Sequence, residues 1–409
     1  MIWNFGVMRF WGVEKYDDFF MKVCMLREKS VFLQIEKYFY QIEADIIMIE
    51  KVIIKNYKSI KNADITLRNI NVLIGMNGAG KSNLISFFEM VKELYNQRLN
   101  NYVIRNGGVD RLLFNGKKYS DRIEALIDFD NRNAIQFSIA PAMGDKVFIV
   151  YFRDYFNSAY DEDKNYESWN EKEWESDVVE SNLCNNTTSR AGYLRYFFYN
   201  FTIYHFHDTS MTSKMRGICA INDNEYLRSD ASNLAACLYL MKEREPKNFK
   251  ILEGTIRLIA PYFKCFRLSP DRLNNTNIQI EWEEVDTDAY RDAYSFSDGM
   301  MRFIALATLL LQENKPKVII IDEPELGLHP VAIEKLVALV KMAASESQII
   351  LATQSTSLVN LFDAEDVLVA NKVHGETSYK RFSEDDLKDW LTDYNMGDIW
   401  EKNLIGGRP

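Results

Sequence analysis

The sequence predicts an α/β fold built on a parallel sheet with helices on both faces. Two continuous apolar runs, residues 318–321 and 348–352, have the composition of parallel strands that are buried on both faces. A β-branched run at residues 70–74 leads into a glycine-rich loop, and apolar residues at helical spacing follow over residues 83–95. Strands that alternate with helices in this order indicate a sheet covered on both sides.

The first elements of this fold come from residues 48–145. Short β-branched runs at residues 51–55 and 70–74 predict two strands on either side of a polar stretch. Further strands are expected around residues 122–130 and 134–138. The helix between them has its apolar residues three and four positions apart, at Leu84, Phe87, Phe88, Val91 and Leu94.

The core pattern returns after a long change in composition. Residues 146–290 are rich in Tyr, Phe, Asn and Asp and contain no Pro/Gly linker, which predicts a mainly helical insertion. Residues 301–312 then predict an apolar helix and residues 331–343 an amphipathic one, beside the two buried strands already described.

This pattern divides the chain into successive segments. They are an N-terminal extension (1–47), the first half of the core (48–145), the insertion (146–290), the second half of the core (291–372) and a C-terminal tail (373–409). The first core strand begins just after Met48, and the extension contains none of the motifs described below. We therefore expect the core to fold without the extension.

The composition argues against several classes of function. No apolar run reaches the roughly 18 residues of a membrane-spanning helix, and the N-terminus lacks the apolar segment of a signal peptide. We expect a cytoplasmic protein without a membrane partner, whose five cysteines are reduced because they lack CxxC spacing. The net charge of -10 argues against a nonspecific nucleic-acid coat, although a local basic groove is compatible with it.

Residues 75–82, GMNGAGKS, form a phosphate-binding loop of the form GxxxxGK[ST]. Glycines allow successive backbone N–H groups to turn toward phosphate oxygens, and the helix that follows adds partial positive charge at its N-terminus. In such a loop Lys81 contacts the β- and γ-phosphates and Ser82 ligates magnesium, so we expect ATP and Mg2+ as cofactors. The residues predicted to contact the nucleotide are Asn77, Gly78, Ala79, Gly80, Lys81, Ser82 and Asn83.

Asp322 and Glu323 follow the apolar run at residues 318–321. The strand would place Asp322 at its carboxyl end beside the phosphate loop, where the carboxylate can hold magnesium through water. Glu323 can accept a proton from an attacking water molecule and is the predicted catalytic base. A buried strand that ends in an acidic turn is the alternative, and the phosphate loop makes it the weaker one.

These motifs resemble those of the RecF-like and overcoming-lysogenization-defect-like ATPases, which are relatives of the structural-maintenance-of-chromosomes (SMC) heads. Residues 322–330, DEPELGLHP, resemble their Walker B motif and D-loop, and residues 296–302, FSDGMMR, resemble their version of the ABC signature. Residues 57–61, YKSIK, resemble a turn that these heads place near the nucleotide. The resemblance implies an ABC-type P-loop NTPase head in which Lys58 lies near the nucleotide.

The resemblance also implies that some residues of one subunit complete the nucleotide site of another. It implies that Ser297 and Gly299 face the γ-phosphate of the opposite subunit in a homodimer or higher oligomer. Transporter-type heads have a histidine after the strand that follows Walker B, whereas this sequence has Gln354. Glutamine can donate a hydrogen bond to the γ-phosphate but cannot become an imidazolium, so we expect catalysis with Gln354 to be slow or partner-dependent. The Q-loop residue stays open between Gln136 and a side chain near residues 113–116.

Residues 205–210, HFHDTS, contain two histidines at a spacing that shares a face only in a strand. With no cysteine or further histidine nearby, a structural or partner-contact role is favoured over a metal site. Similar segments occur in RecF-like ATPases with a helical insertion, as do tails like residues 396–409. The tail adds Trp390 and Trp400 as candidate docking residues, with packing on the protein's own core as the alternative.

The insertion combines acidic and aromatic residues, a mixture that repels phosphate. Its charge runs favour a solvated segment, and its aromatic residues are the type that anchors protein partners. These aromatic residues are Tyr155, Tyr160, Tyr166, Trp169 and Trp174. Any DNA contact is expected instead at Lys55, Lys58 and Lys61 near the first strand.

Only a short tail follows Ala370, so we expect no Toprim nuclease domain, and no heptad run predicts a coiled-coil arm. The resemblance therefore implies an ATPase that dimerises on ATP and gates a separate effector of the nuclease class, Toprim or other, encoded nearby. The implied setting is bacterial DNA repair or antiphage defence, with DNA as a candidate partner. The alternative is a low-turnover, ATP-bound scaffold that stores or displays an effector protein.

Overall fold

The computed structural model describes residues 48–130, 132–157, 166, 169–287 and 290–408. The elements below belong to one compact unit, which comprises the described residues from Met48 onward. The expected N-terminal extension lies outside the described residues, as do Tyr160 and the acidic residues 161–163.

The strands have the following bounds. They are β1 (Ile49–Tyr57), β2 (Ile60–Thr66), β3 (Ile70–Ile74), β4 (Ile123–Phe129), β5 (Asn133–Pro141), β6 (Val147–Phe156), β7 (Asn170–Val178), β8 (Phe201–Tyr204), β9 (Cys219–Ala220), β10 (Phe263–Phe266), β11 (Asn277–Ile278), β12 (Glu281–Glu284), β13 (Tyr290–Asp292), β14 (Val318–Asp322), β15 (Gln348–Ala352), β16 (Val367–Val373) and β17 (Glu376–Arg381).

The α-helices have the following bounds. They are α1 (Lys81–Tyr95), α2 (Leu99–Arg105), α3 (Val109–Leu112), α4 (Ser189–Tyr199), α5 (Leu234–Arg244), α6 (Pro246–Ile259), α7 (Asp298–Leu311), α8 (Pro330–Ala343), α9 (Thr356–Val359), α10 (Glu384–Leu391) and α11 (Met396–Glu401).

A six-stranded antiparallel sheet has the strand order β2-β1-β4-β5-β6-β7. One of its faces is apolar, and Ile135, Phe137 and Ile139 of β5 show the period-two spacing that produces such a face. These residues belong to the same buried cluster as Phe87 and Phe88 of α1. Helix α1 therefore packs between this sheet and the second one.

The second six-stranded sheet has the order β17-β16-β3-β15-β14-β8. The strands from β16 to β8 pair in parallel, and β17 is antiparallel to β16. Ile319 and Ile321 of β14 contact one buried cluster, with helices α7 and α8, whereas Val318 and Ile320 contact the cluster that contains α1. This sheet is thus covered on both faces, and the predicted α/β class is confirmed.

The register of the second sheet brings the ends of several strands together. Asp322 lies opposite Ala352, and Ala352 lies opposite Leu73. On the other side of β14, Tyr204 lies opposite Ile321. The segments that follow β3, β8, β14 and β15 consequently emerge at one carboxyl edge of the sheet, where open α/β sheets bind ligands.

The segment boundaries expected from the sequence differ from the boundaries of the sheets. Strands β6 and β7, which come from residues 146–290, extend the antiparallel sheet, and β8 joins the parallel one. Strand β17, from the expected tail, pairs with β16. The sequence does not predict these strands because β7 has polar residues along an outer edge, while β8 is only four residues long. The division into segments stays a proposal, with α4, α5 and α6 as the helical part of the expected insertion.

None of the helices in the described part of the chain combines the length and apolar character that crossing a membrane requires.

Candidate functional site

The loops after β3, β14 and β15 line a cavity of about 90 Å³ at the carboxyl edge of the parallel sheet. Its lining residues are Met76, Asn77, Gly78, Gly80, Lys81, Ser82, Asn83, Asp322, Glu323 and Gln354. Of the other residues predicted to be functional, Ala79 is fully buried, and Lys58, Ser297 and Gly299 are not among the lining residues.

The phosphate loop owes its shape to glycines with positive φ. Gly78 has φ 77° and Gly80, which precedes α1, has φ 116°, conformations that L side chains rarely adopt. A Cβ atom on Gly80 would also lie 2.5 Å from the side chain of Thr377. The loop therefore turns directly into the N-terminus of a fifteen-residue helix, the arrangement in which backbone N–H groups can face an anion.

Lys81 lies beneath this loop with only 6% of its surface exposed. Its Nζ atom donates hydrogen bonds to the carbonyl oxygens of Gly75 and Met76. Burial lowers the pKa of Lys81, and the charges of Glu323 and Asp322 partly offset that effect. A desolvated ammonium group held by neutral carbonyls suits a polyanionic ligand, because a phosphate would supply the countercharge.

The acidic residues after β14 differ in their surroundings. Burial raises the pKa of Asp322, as does the neighbouring charge of Glu323. Burial likewise raises the pKa of Glu325, whose Oε1 accepts hydrogen bonds from Oγ1 of Thr353 at 2.6 Å and from the backbone N–H of Gln354 at 3.3 Å. Glu325 therefore fixes the segment after β15, while Asp322 and Glu323 line the cavity.

Glu323 is held in an uncommon backbone conformation. Its φ is 46°, in the left-handed region, and its backbone N–H donates to the carbonyl of Ala352 at 2.8 Å. The side-chain amide of Gln354 donates to Oε1 of Glu323. Residues in such conformations persist when their surroundings fix them, and they are concentrated at functional sites.

The signature segment lies outside the cavity, at the start of α7. Ser297 is exposed, and its Oγ atom caps the helix by accepting the backbone N–H of Met300 at 3.2 Å. Gly299 packs so closely on the turn after β14 that an added Cβ atom would lie 2.1 Å from the carbonyl oxygen of Gly327. The signature segment and the expected D-loop are thus in direct contact.

Two buried arginines hold the signature segment in place, and the sequence analysis assigned neither of them this role. Arg302 of α7 donates to the carbonyl oxygens of Phe206 at 2.8 Å and His207 at 3.0 Å, and to that of Leu326. In the sequence, Arg302 stands out as a charged residue within the otherwise apolar run of α7. Because its burial requires polar partners, such a charge indicates a cluster of acceptors from other elements.

The second of these arginines, Arg216, is 2% exposed. Its guanidinium donates to the carbonyl oxygens of Ala293 and Phe296, and to Oδ1 of Asp298 at 2.8 Å. Arg216 therefore holds the chain that enters the signature helix.

The histidine segment follows β8 and lies beside Asp322. His205 forms an ion pair with Glu89 of α1, with Nε2 and Oε1 2.8 Å apart. That hydrogen bond raises the pKa of His205, whose charge partly offsets the rise that burial causes in the pKa of Asp322. The pairing of β8 with β14, which the sequence did not predict, brings both histidines to this edge.

The Q-loop candidates have other surroundings. Gln136 lies in β5 of the antiparallel sheet and accepts a hydrogen bond from the hydroxyl of Tyr155 at 2.7 Å. Leu113 forms a bridge with Tyr57. Neither candidate lines the cavity.

Lys58 and Asn83 both bond to neighbours around the turn between β1 and β2, and of the two only Asn83 lines the cavity. Lys58 has φ 48°, and its Nζ atom donates to Oγ of Ser86 in α1 at 2.8 Å, while burial lowers its pKa. The side-chain amide of Asn83 donates to Oγ of Ser59 at 2.6 Å. Both residues therefore join the turn between β1 and β2 to the helix that carries the phosphate loop.

The expected docking aromatics are largely enclosed. Trp400 is fully buried and its indole N–H donates to the carbonyl of Gly407, so the alternative of packing on the protein's own core holds for it. Trp169 is 5% exposed, and Trp174 donates to Asp154 at 2.7 Å. Trp390 remains 44% exposed. Trp400 is buried in the cluster that contains α7 and α8, and Trp169 packs on residues of the antiparallel sheet, contacts that a composition count does not reveal.

The expected basic surface is neutralised by acidic neighbours. Lys55 pairs with Glu124 at 3.5 Å and Lys61 pairs with Glu376 at 3.7 Å. These contacts lower the net positive charge that DNA phosphates would meet.

Comparisons with known proteins agree with this geometry. The SMC head bound to the C-terminal winged-helix domain of ScpA has a TM-score of 0.56 and 17% identity, over 83% of this chain and 99% of that chain. The SMC head with an extended coiled coil, bound to the C-terminal domain of ScpA from Pyrococcus furiosus, has a TM-score of 0.50 and 17% identity, over 85% and 99%. No curated protein matches the chain.

The chain therefore has the fold of the SMC heads, an ABC-type P-loop fold. A protein-family profile matches residues 70–360, which include the phosphate loop and the strands β14 and β15. On that match the chain belongs to the family described as "AAA domain, putative AbiEii toxin, Type IV TA system".

Proposed function

We propose that this protein binds ATP with Mg2+ and hydrolyses it in the manner of the RecF-like and overcoming-lysogenization-defect-like ATPases. One observation carries the proposal: Lys81, Asp322, Glu323 and Gln354 line one cavity at the carboxyl edge of a parallel sheet. Ligands of open α/β sheets bind at this edge. The family match and the fold shared with SMC heads support the same activity.

The triphosphate would be held by the loop at residues 75–82. Backbone N–H groups at the start of α1 and the ammonium group of Lys81 supply positive potential. The hydroxyl of Ser82 and the carboxylate of Asp322 are the oxygen donors that Mg2+ prefers, so these residues would hold the ion. Bound there, Mg2+ would neutralise charge on the phosphate oxygens.

Hydrolysis would depend on Glu323 and Gln354. The carboxylate of Glu323 lines the cavity and is oriented by the amide of Gln354, so it is suited to accept a proton from an attacking water molecule. Gln354 also has a second amide hydrogen for the γ-phosphate. Its contact with Glu323 would thus couple the presence of phosphate to the orientation of the base.

Two heads would join on ATP, with Ser297 and Gly299 of one head completing the site of the other. This arrangement is supported by the exposure of Ser297 at the start of α7, outside its own cavity. Within one head, Arg302 connects the signature helix to Leu326 and to the segment after β8. A shift of the turn after β14 would therefore be transmitted to the signature segment that faces the other head.

The ATP cycle would gate a separate effector of the nuclease class, Toprim or other, encoded nearby. The setting would be the cytoplasm, in bacterial DNA repair or antiphage defence. Both SMC heads described above are bound to a domain of ScpA, which supports a protein partner for a head of this fold. DNA remains a candidate partner of the assembled dimer, although Lys55 and Lys61 are paired with carboxylates.

The second candidate function is a low-turnover, ATP-bound scaffold that stores or displays an effector. It is favoured by Gln354, which cannot act as an acid in the place where transporter heads have a histidine. The two candidates differ in ATP turnover measured for the protein alone, with DNA, and with the product of the neighbouring gene. A gating ATPase predicts turnover that rises with partner or DNA, whereas a scaffold predicts stable assembly with turnover that stays low in all three mixtures.

A further inference from the structure

We propose that Thr377 and Tyr379 are positioning residues that hold the phosphate loop in its binding shape. Both lie on β17, beyond the residues 70–360 that the family profile matches. The proposal rests on the proposed function, since it assigns these hydroxyl groups to the nucleotide site from its far side. Neither residue lines the cavity itself.

Both hydroxyl groups donate hydrogen bonds to carbonyl groups of the phosphate loop. Oγ1 of Thr377 lies 2.9 Å from the carbonyl oxygen of Ala79, and the hydroxyl of Tyr379 lies 2.9 Å from that of Gly80. Thr377 and Ala79 are both fully buried. Burial raises the pKa of Tyr379, so its hydroxyl stays protonated and remains a donor across the working pH range.

The bond from Thr377 is the last of a chain of three hydrogen bonds, here called the relay, that runs from Asn83 through Ser59 and Thr377 to Ala79. The amide of Asn83 donates to Oγ of Ser59 at 2.6 Å, and the hydroxyls of Ser59 and Thr377 are 2.6 Å apart. Because Thr377 uses its hydrogen on Ala79, Ser59 is the donor to Thr377. Every hydroxyl in this relay therefore both accepts and donates, which fixes the direction of each bond.

The physical need for these donors follows from how such a loop binds phosphate. Its backbone N–H groups must point inward, so its carbonyl groups point away from the ligand and into the protein. A buried carbonyl without a donor is costly, and it would favour a turn that redirects the N–H groups. Strand β17 supplies a side-chain donor to the carbonyl of Ala79 and adds one to that of Gly80, which also accepts the backbone N–H groups of Asn83 and Leu84, so loss of the Tyr379 hydroxyl is the milder change.

The packing around the loop leaves little room for another arrangement. An added Cβ atom on Gly80 would lie 2.5 Å from Cγ2 of Thr377, and one on Gly75 would lie 2.5 Å from the carbonyl oxygen of Ala370. The C-terminal segment closes the same wall, because a Cβ atom on Gly407 would lie 3.3 Å from Cα of Gly75. The expected tail thus contributes to the back wall of the site.

The test compares Thr377→Val, which removes the hydroxyl at nearly constant volume, with Thr377→Ser, which retains it. Thr308→Val is the matched control, because Thr308 is also fully buried and donates to a backbone carbonyl, that of Ile304 at 2.7 Å. Tyr379→Phe gives a second, milder removal of a donor. ADP affinity is measured by titration calorimetry, and amide hydrogen exchange of residues 76–84 is measured without nucleotide.

We expect Thr377→Val to weaken ADP binding on the order of 10-fold and to speed exchange in residues 76–84, because it leaves a buried acceptor unpaired. Tyr379→Phe should change both readouts in the same direction, while Thr377→Ser and Thr308→Val stay near the wild-type values. Unchanged exchange and affinity in Thr377→Val, or an equal loss in Thr308→Val, would overturn the proposal. If the wild-type protein binds no nucleotide, the proposed function fails, and the exchange comparison still decides the role of Thr377.

Discussion

The side-chain amide of Gln354 donates a hydrogen bond to the carboxylate of Glu323, with Nε2 and Oε1 2.5 Å apart. The two residues follow β15 and β14, neighbouring strands that pair in parallel. Because the backbone of Glu323 is fixed by the carbonyl of Ala352, this contact sets the orientation of the carboxylate. Gln354, which is proposed to contact the γ-phosphate, therefore also orients Glu323, the proposed catalytic base.

Gln354→Ala should lower ATP turnover by about 10- to 100-fold while leaving ADP affinity within about 2-fold, because a base held in the wrong orientation loses rate rather than binding. Steady-state hydrolysis and ADP titration check this. Gln279→Ala is the matched control, since Gln279 also donates to a glutamate, Glu281, at 3.0 Å but lies between β11 and β12 and does not line the cavity. Wild-type turnover in Gln354→Ala would contradict the proposal that Gln354 orients the carboxylate of Glu323.

The proposed trans site predicts that ATP joins two heads. Glu323→Gln with ATP and Mg2+ should sediment as a larger species, and adding Ser297→Asp should return it to the smaller one. Aspartate keeps the cap on α7 that Ser297 provides, yet it places a negative charge against the partner's γ-phosphate. Thr188→Asp, at the cap of α4, controls for the added charge. Equal sedimentation with and without Ser297→Asp, with ATP bound in both, would contradict the trans role.

The motifs that could be predicted from the sequence are local. The phosphate loop and the carboxylates of Asp322 and Glu323 each follow a short apolar run that is readable without knowing its partners. Strand pairing then brings them together, because parallel strands covered by helices place their carboxyl ends at one edge.

What could not be predicted depends on pairings between distant parts of the chain. His205 lies beside Asp322 only because β8 pairs with β14, and β8 is too short to stand out by periodicity. Thr377 reaches Ala79 only because the hairpin of β16 and β17 joins the sheet next to β3. The burial of Trp400 follows in the same way, so residue type alone wrongly favoured docking.

Arg302→Lys should lower the free energy of unfolding by about 2–4 kcal/mol, because a lysine cannot serve the buried carbonyls of Phe206, His207 and Leu326 together. Chemical denaturation measures this loss. Arg291→Lys, which alters an exposed pair with Glu284, should cost about 1 kcal/mol or less. Equal losses in both variants would show that Arg302 does not join the signature helix to its neighbours.

The ion pair of His205 and Glu89 predicts a pH dependence of stability. Since the pKa of His205 is raised in the folded state, its stabilisation is complete below the unfolded pKa of about 6.5 and is lost as pH rises through the folded pKa. Asp322 also faces His205 and acts in the same direction. His205→Gln should therefore destabilise the protein more at about pH 6 than at about pH 9, as measured by denaturation.

His374→Asn, on the exposed turn between β16 and β17, is the control for this series. A stability difference between wild type and His205→Gln that stays constant across the pH range would contradict the ion pair with Glu89.

ATP turnover of Glu323→Gln tests the central claim most directly. Glutamine keeps the shape of the side chain but cannot accept the proton, so turnover should fall by roughly 10²–10⁴-fold while ATP affinity is retained. Lys81→Ala should instead lose ATP affinity, and Glu334→Gln on the exposed side of α8 should match the wild type. Turnover in Glu323→Gln equal to that of the wild type would contradict the assignment of Glu323 as the base.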